Sequence, residues 1–354
     1  MPPPTPNPFL TLAPDTALPL PASDRFPEAG HLWRQEEIDA LILAWAARRP
    51  LLVRGEAGSG KSQIARAAAR HLYEGDPLVE VIHPRFEALD LLYRVDVVAR
   101  LADAQIAKAL DPTNDKYVKR GRLWQAMKPD SNRDAKGAAG GDAGNAAAPP
   151  RVLLIDEIDK ADAEVPNALL EVLGNRSFTV PPLNDRLVRL ESGQLPPLVI
   201  ITTNEERELP AAFIRRCAVL NLSPPDDDRN LIAWLIARGD VHQHLAITEA
   251  ARRYAAQQVV ADRRAALDSG YPPVGLAEYI DLLTALDELT AEVAEAQRET
   301  EQITWLKRIS RYALVKHAGQ KQDRTLQDHT PQDRTPQDHK TPDHAPGRAG
   351  DGAA

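Results

Sequence analysis

Eight consecutive residues carry the strongest chemical signal in the chain: Gly55-Glu56-Ala57-Gly58-Ser59-Gly60-Lys61-Ser62, of the form G-x-x-x-x-G-K-S. The apolar run Leu51-Leu52-Val53 precedes them and the helix-forming run Gln63-Ile64-Ala65-Arg66-Ala67-Ala68-Ala69 follows. Strand, glycine loop and helix are the context that a phosphate-binding loop requires. The glycines let the backbone curl until successive N–H groups point inward at phosphate oxygens. The helix N-terminus adds partial positive charge at the same place. Gly55 to Gln63 are therefore the candidate nucleotide contacts, with Lys61 reaching the β- and γ-phosphates and the Ser62 hydroxyl ligating Mg²⁺.

Hydrolysis of a nucleotide needs an acidic anchor for Mg²⁺ and a group that positions water. Val152-Leu153-Leu154-Ile155 is strongly apolar and ends in Asp156-Glu157. A parallel sheet places its ligands at the carboxyl ends of its strands. Asp156 is thus a candidate metal ligand, acting through water, and Glu157 a candidate for polarising the attacking water. Leu198-Val199-Ile200-Ile201 ends similarly in Thr202-Thr203-Asn204. Asn204 is a candidate hydrogen-bond partner of that water or of the γ-phosphate, although asparagine after a strand is commonly only a turn residue.

Other residues have plainer readings. Phe86 reads as a core aromatic, because aromatic residues supply core area. Cys217 is the only cysteine, which excludes an intrachain disulfide and a cysteine zinc cage. It reads as packed rather than nucleophilic. His329, His339 and His344 lie near aspartates in a polar tail with nothing to fix a coordination geometry.

The elements that must position these residues alternate. Leu32 to Arg48 reads as a helix on the spacing of Ile38, Leu41, Ile42 and Trp45. Strands are expected at Leu51, at Leu78 to Ile82, at Val152, at Leu198 and at Ala218 to Leu222. Helices are expected at Gln63 to Tyr73, over much of Phe86 to Leu110, and at Val165 to Leu173. Arg176 to Leu190 reads as a hairpin with a turn at Asn184-Asp185. This pattern predicts an α/β fold, a parallel sheet flanked by helices. Beyond Ser223 only helices are expected: Asn230 to Arg238, Thr248 to Leu267, Leu276 to Leu289 and Thr304 to His317.

The 354 residues suffice for two packed domains. Residues 1–27 are Pro-rich and expected to be extended or disordered. Residues 28–223 form the expected α/β domain, with a low-complexity insert at 128–150. Residues 224–317 form a smaller all-helical domain, and 318–354 a disordered tail with a degenerate repeat. The net charge of -8 disfavours a general nucleic-acid binder. No apolar run approaches a membrane span, and the N-terminus lacks the pattern of a signal peptide, so cytoplasm is the expectation.

The order of glycine loop, Asp-Glu strand, Thr-Thr-Asn strand and Leu209-Pro210-Ala211-Ala212-Phe213-Ile214-Arg215-Arg216-Cys217 resembles the AAA+ ATPases. It is most similar to the MoxR-like group, whose architecture overlaps the dynein-related AAA family. Leu92 to Asp96, Gly121-Arg122-Leu123 and Pro166 to Leu173 resemble further elements of that group. The similarity runs from about Leu32 to Lys316, without the insert or either terminus. The resemblance implies a P-loop core with a helical lid, ATP and Mg²⁺ as cofactors, and a homo-oligomer, usually a hexameric ring. It implies a trans-acting arginine at Arg216, with adjacent Arg215 as the alternative. One departure stands out: Pro272 to Tyr279, where many relatives carry a lid arginine, has none. The function implied is a chaperone-like ATPase that remodels a partner protein, which in this group is often a von Willebrand factor A domain protein. The rival readings are a nucleic-acid-directed motor of a restriction or defence system, and a nucleotide-dependent scaffold with little turnover.

Overall fold

The computed structural model describes residues 6–106, 115–128, 151–191 and 193–316. The expected low-complexity insert, apart from Lys128, and the expected tail lie outside these residues.

The Pro-rich start is the first departure from expectation. Residues 6–27 are built into the fold rather than disordered. Pro8–Thr11 makes one 3-10 turn, capped by the Asn7 side chain, which accepts the Phe9 N–H. Phe9 is fully buried, edge-on to Trp45 with centroids 5.8 Å apart. Strand β1 (Ala17–Leu20) pairs antiparallel with β2 (Ala29–Leu32). Composition pointed the other way because prolines dominate the stretch, but a few apolar anchors supply enough burial to order it.

Because β2 takes Leu32, the first helix starts later than its spacing suggested, with α1 at Gln35–Ala47. The Arg34 N–H donates to the Glu37 carboxylate at its start, and Arg48 ends it in the left-handed region with φ 55°. Then come β3 (Leu51–Gly55), α2 (Lys61–Tyr73) and β4 (Leu78–Val81). The stretch after β4 is less helical than expected. Tyr93–Val95 forms a strand, β5, before α3 (Val97–Ile106), and β5 pairs antiparallel with β6 (Val118–Arg120). A three-residue strand is too short to show a period, which is why the sequence read as helix there.

Short helix α4 (Arg122–Met127) leads to β7 (Val152–Asp156), α5 (Glu164–Asn175) and the expected hairpin of β8 (Ser177–Val180) and β9 (Arg186–Arg189). Asn184 and Asp185 both take positive φ at its turn. Next are β10 (Leu198–Thr203), the single turn α6 (Ala211–Ile214) and β11 (Ala218–Leu222).

Five strands form one parallel sheet in the order β11-β3-β10-β7-β4. Their side chains alternate between two cores. Leu52, Leu153, Ile155, Val199 and Ile201 face one side with Leu123, Leu169 and Phe213. Leu51, Val53, Val152, Leu154, Leu198 and Ile200 face the other with Leu41, Ile64 and Ala68. Burial on both faces explains the unbroken apolar runs of these strands.

Four helices complete the described chain: α7 (Asp228–Asp240), α8 (Glu249–Asp268), α9 (Leu276–Leu289) and α10 (Glu295–Leu314). They share a core of Leu235, Val259, Tyr279, Leu283 and Leu306. The last helix begins nine residues before its apolar pattern does. Its polar first turns are anchored by the buried Gln302, which accepts from the Thr248 N–H and hydroxyl and donates to Ala246 O and Thr290 Oγ1.

Candidate nucleotide site

The sheet order puts β3, β10 and β7 side by side, so their carboxyl ends converge. The glycine loop leaves β3 and enters α2. Gly58 and Gly60 take φ of 73° and 92°, a region that only glycine enters without strain. Gly60 is the N-cap of α2, so the loop hands its backbone N–H groups to the helix terminus.

Lys61 is buried, and its ammonium donates to the carbonyls of Gly55 at 2.8 Å and Glu56 at 2.7 Å. Burial lowers its pKa, opposed by the carboxylates of Asp156, Asp159, Glu157 and Glu56. A cation thus sits inside a ring of negative charge at the mouth of the loop.

Register places Thr202 beside Asp156, because Ile201 pairs with Ile155. Asp156 Oδ1 accepts from the Ser62 hydroxyl at 2.9 Å and from the Thr202 hydroxyl. Thr202 Oγ1 in turn accepts the Glu157 N–H at 3.0 Å, which fixes the turn after β7. Glu157 occupies the left-handed region with φ 60°. Its carboxylate accepts from Lys160 at 2.7 Å and from the Asn204 amide at 3.4 Å. Lys61, Ser62, Asp156, Glu157 and Asn204 are therefore brought together.

They line one wall of a cavity of ≈ 860 Å³. The cavity continues past Gly60 and Gln63 to Gly30 and His31, and on to Trp234, Leu276 and Ile280 of the helical region. Its volume is that of a small-molecule ligand site, lined by both the glycine loop and the helical region. Among the described residues no group of three or more His, Cys, Asp or Glu could hold a metal. The Ser62 hydroxyl and Asp156 carboxylate do present adjacent hard oxygens. That donor set fits Mg²⁺ carried in with phosphate oxygens, not a metal caged by protein alone.

Arg216 is not in this cluster. It precedes β11 at the amino end of the sheet, where the Ala218 N–H donates to Pro50 O. That is roughly 15 Å, one strand length, from the loop. Arg215 and Arg216 are both exposed there.

Two further residues bear on the site without having been assigned to it from sequence. Thr202 is fully buried, and a threonine pair ending an apolar strand was its available signal. Arg263 on α8 binds the Glu56 carboxylate with both guanidinium nitrogens, and no local pattern announces a partner 207 residues away. Phe86 is buried beside His83, so the core reading stands. Cys217 is also buried, donates to Phe213 O, and has its thiol pKa pushed up to about 12 by burial, which makes it a poor nucleophile. The three tail histidines lie outside the described residues.

Comparison with known proteins agrees with this architecture. Residues 50–217 match the family model described as the AAA domain of the dynein-related subfamily. Those residues carry the AAA+ P-loop fold, a parallel sheet flanked by helices, and the helices after β11 follow it as a helical lid region. No curated protein sequence matches the chain. Among solved structures it is similar to a Thermotoga maritima RuvB variant, at 16% identity over 78% of this chain and 70% of that one, with a TM-score of 0.40. It is similar to Brucella abortus NtrX in complex with ATP at 14% identity over 73% of this chain, with a TM-score of 0.40, and it spans 51% of the NtrX chain. A Cytophaga hutchinsonii protein described as a candidate ATPase aligns at 16% identity over 77% of this chain and 79% of that one, with a TM-score of 0.35. At these scores none of the three carries a residue role to this chain. Among the described residues no helix is long and apolar enough to cross a membrane.

Proposed function

We propose that this protein binds and hydrolyses ATP as a MoxR-like AAA+ machine, and that it works as a ring to remodel a partner protein. The observation that carries the reading is the hydrogen bond from the Ser62 hydroxyl of the loop to Asp156 at the end of β7, with Glu157 next in sequence. It joins phosphate binding, a metal-binding oxygen pair and a carboxylate base in one cluster.

In this reading the loop amides and Lys61 hold the phosphate chain. When bound, Mg²⁺ would neutralise charge building on the β- and γ-phosphate oxygens. Ser62 and Asp156 are the residues that would hold it. Glu157 orients the attacking water and takes its proton, while Asn204 fixes the direction of that carboxylate. Lys160 also binds Glu157, so this ion pair must loosen before the carboxylate can act as a base.

Arg216 acts on the site of a neighbouring copy. Its exposure and its separation from the same-chain loop support this role, and a guanidinium forked onto phosphate oxygens stabilises transferring charge. A ring, hexameric by resemblance, supplies one such arginine to each joint. The client is a protein, of which a von Willebrand factor A domain protein is one instance; the acidic net charge favours this over a nucleic acid. Nucleotide binding and steady-state phosphate release, wild type beside Glu157→Gln, test the reading.

A further inference from the structure

A phosphate loop gathers backbone N–H donors to receive an anion. A carboxylate within it opposes that purpose, yet the second residue of this loop is Glu56. Its charge is felt at Lys61, where it helps hold the ammonium proton. The structure answers this charge from the helical region. Arg263 Nη1 donates to Glu56 Oε2 and Nη2 to Oε1, each at 2.8 Å, a two-bond fork. Nη1 also donates to Val274 O at 3.0 Å, directly before Gly275, the N-cap of α9. The first turn of α9 lies on the loop itself: a Cβ placed on Gly58 would stand 2.7 Å from Ala277 Cβ. The Arg263 side chain is only 12% exposed, against 43% for Glu56. One guanidinium therefore ties the loop, α8 and the start of α9 together.

We propose that Arg263 is a charge-compensating positioning residue: by neutralising Glu56 it makes the loop permissive for a polyphosphate. The inference rests on reading the loop as a triphosphate site. An unopposed carboxylate about 6 Å from a bound phosphate charge costs roughly tenfold in affinity at an effective dielectric near 40, between the protein-surface and bulk-water values. Stability gains little from the pair, because an ion pair with a half-exposed partner is weak in water. A lid arginine that reached the phosphates itself would behave differently. Glu56 would then compete with the ligand for Arg263, and removing Glu56 could not repair the loss of the arginine.

The test is a fluorescence titration with N-methylanthraniloyl-ATP of the full-length wild type, Arg263→Met, Arg263→Lys, Glu56→Gln and the double variant Glu56→Gln/Arg263→Met. Methionine retains the length of the stem, and thermal melts check that each protein is folded. The Kd should rise roughly tenfold in Arg263→Met, and return to within about threefold of wild type in the double variant and in Arg263→Lys. A double variant as weak as Arg263→Met overturns the compensation. So does an Arg263→Lys protein as weak as Arg263→Met, since charge alone would then be insufficient. Should the wild type itself bind no nucleotide, all five proteins read alike and the triphosphate reading fails along with the inference.

Discussion

Ser62 Oγ lies 2.9 Å from Asp156 Oδ1, although 94 residues separate the two in sequence. The contact exists because β3 and β7 both flank β10, so the helix start after one strand meets the acidic end of the other. Replacing Ser62 by Ala or Asp156 by Asn should therefore weaken Mg²⁺-dependent nucleotide affinity more than affinity measured with EDTA. Isothermal titration in the two buffers checks this. Equal loss in both would detach the pair from the metal.

Lys61→Ala should abolish measurable ATP binding without unfolding the chain. The ammonium is held only by the loop carbonyls of Gly55 and Glu56, so its removal leaves the sheet intact. Filter binding of labelled ATP together with a thermal melt separates the two effects.

Arg216→Ala should retain ATP affinity and lose at least about a hundredfold in turnover, within the range set by trans-acting arginines. Mixing it with Glu157→Gln supplies a sharper check. A joint between an Arg216→Ala copy and a Glu157→Gln copy can combine an intact base with an intact arginine. Mixed protein should then show phosphate release that neither variant shows alone. No recovery in mixed rings would contradict the trans assignment.

The glycine loop and the Asp-Glu strand end were legible because each is local, and because strands covered on both faces read as unbroken apolar runs. The N-terminal arm was not. Its prolines signal disorder, while the contacts that order it are distant: Phe9 on Trp45, and Arg66 donating to the carbonyls of Leu20, Pro21 and Pro27. The Arg263 fork on Glu56 was hidden for the same reason. It links two separate packing units, and neither residue stands in a pattern that implies the other.

The arm offers a stability prediction. Truncating a fully buried aromatic removes transfer energy and leaves a cavity, so Phe9→Ala should cost about 3 kcal/mol. Urea unfolding followed by tryptophan fluorescence measures it. A loss below about 0.5 kcal/mol, the level of a neutral surface change, would mean the arm is not part of the cooperative fold.

Acid should destabilise the protein partly through His242. Burial, aided by nearby His244, lowers its pKa from 6.5 to about 4. The unfolded chain therefore takes up a proton below pH 6.5 that the folded chain refuses until about pH 4. The folded state keeps its full advantage above that window and loses it as pH falls through it, by up to roughly 3 kcal/mol. His242→Gln should show a smaller drop in melting temperature between pH 7 and pH 5 than wild type.

If the cluster around Ser62, Asp156 and Glu157 hydrolyses the nucleotide it binds, turnover must depend on the Glu157 carboxylate. Steady-state phosphate release from ATP, measured for wild type and Glu157→Gln at matched nucleotide occupancy, addresses it most directly. Wild type should turn over ATP, and Glu157→Gln at least about a hundredfold less, with ATP affinity within about threefold of wild type. Equal turnover in the two proteins, or none in wild type saturated with ATP, would contradict it.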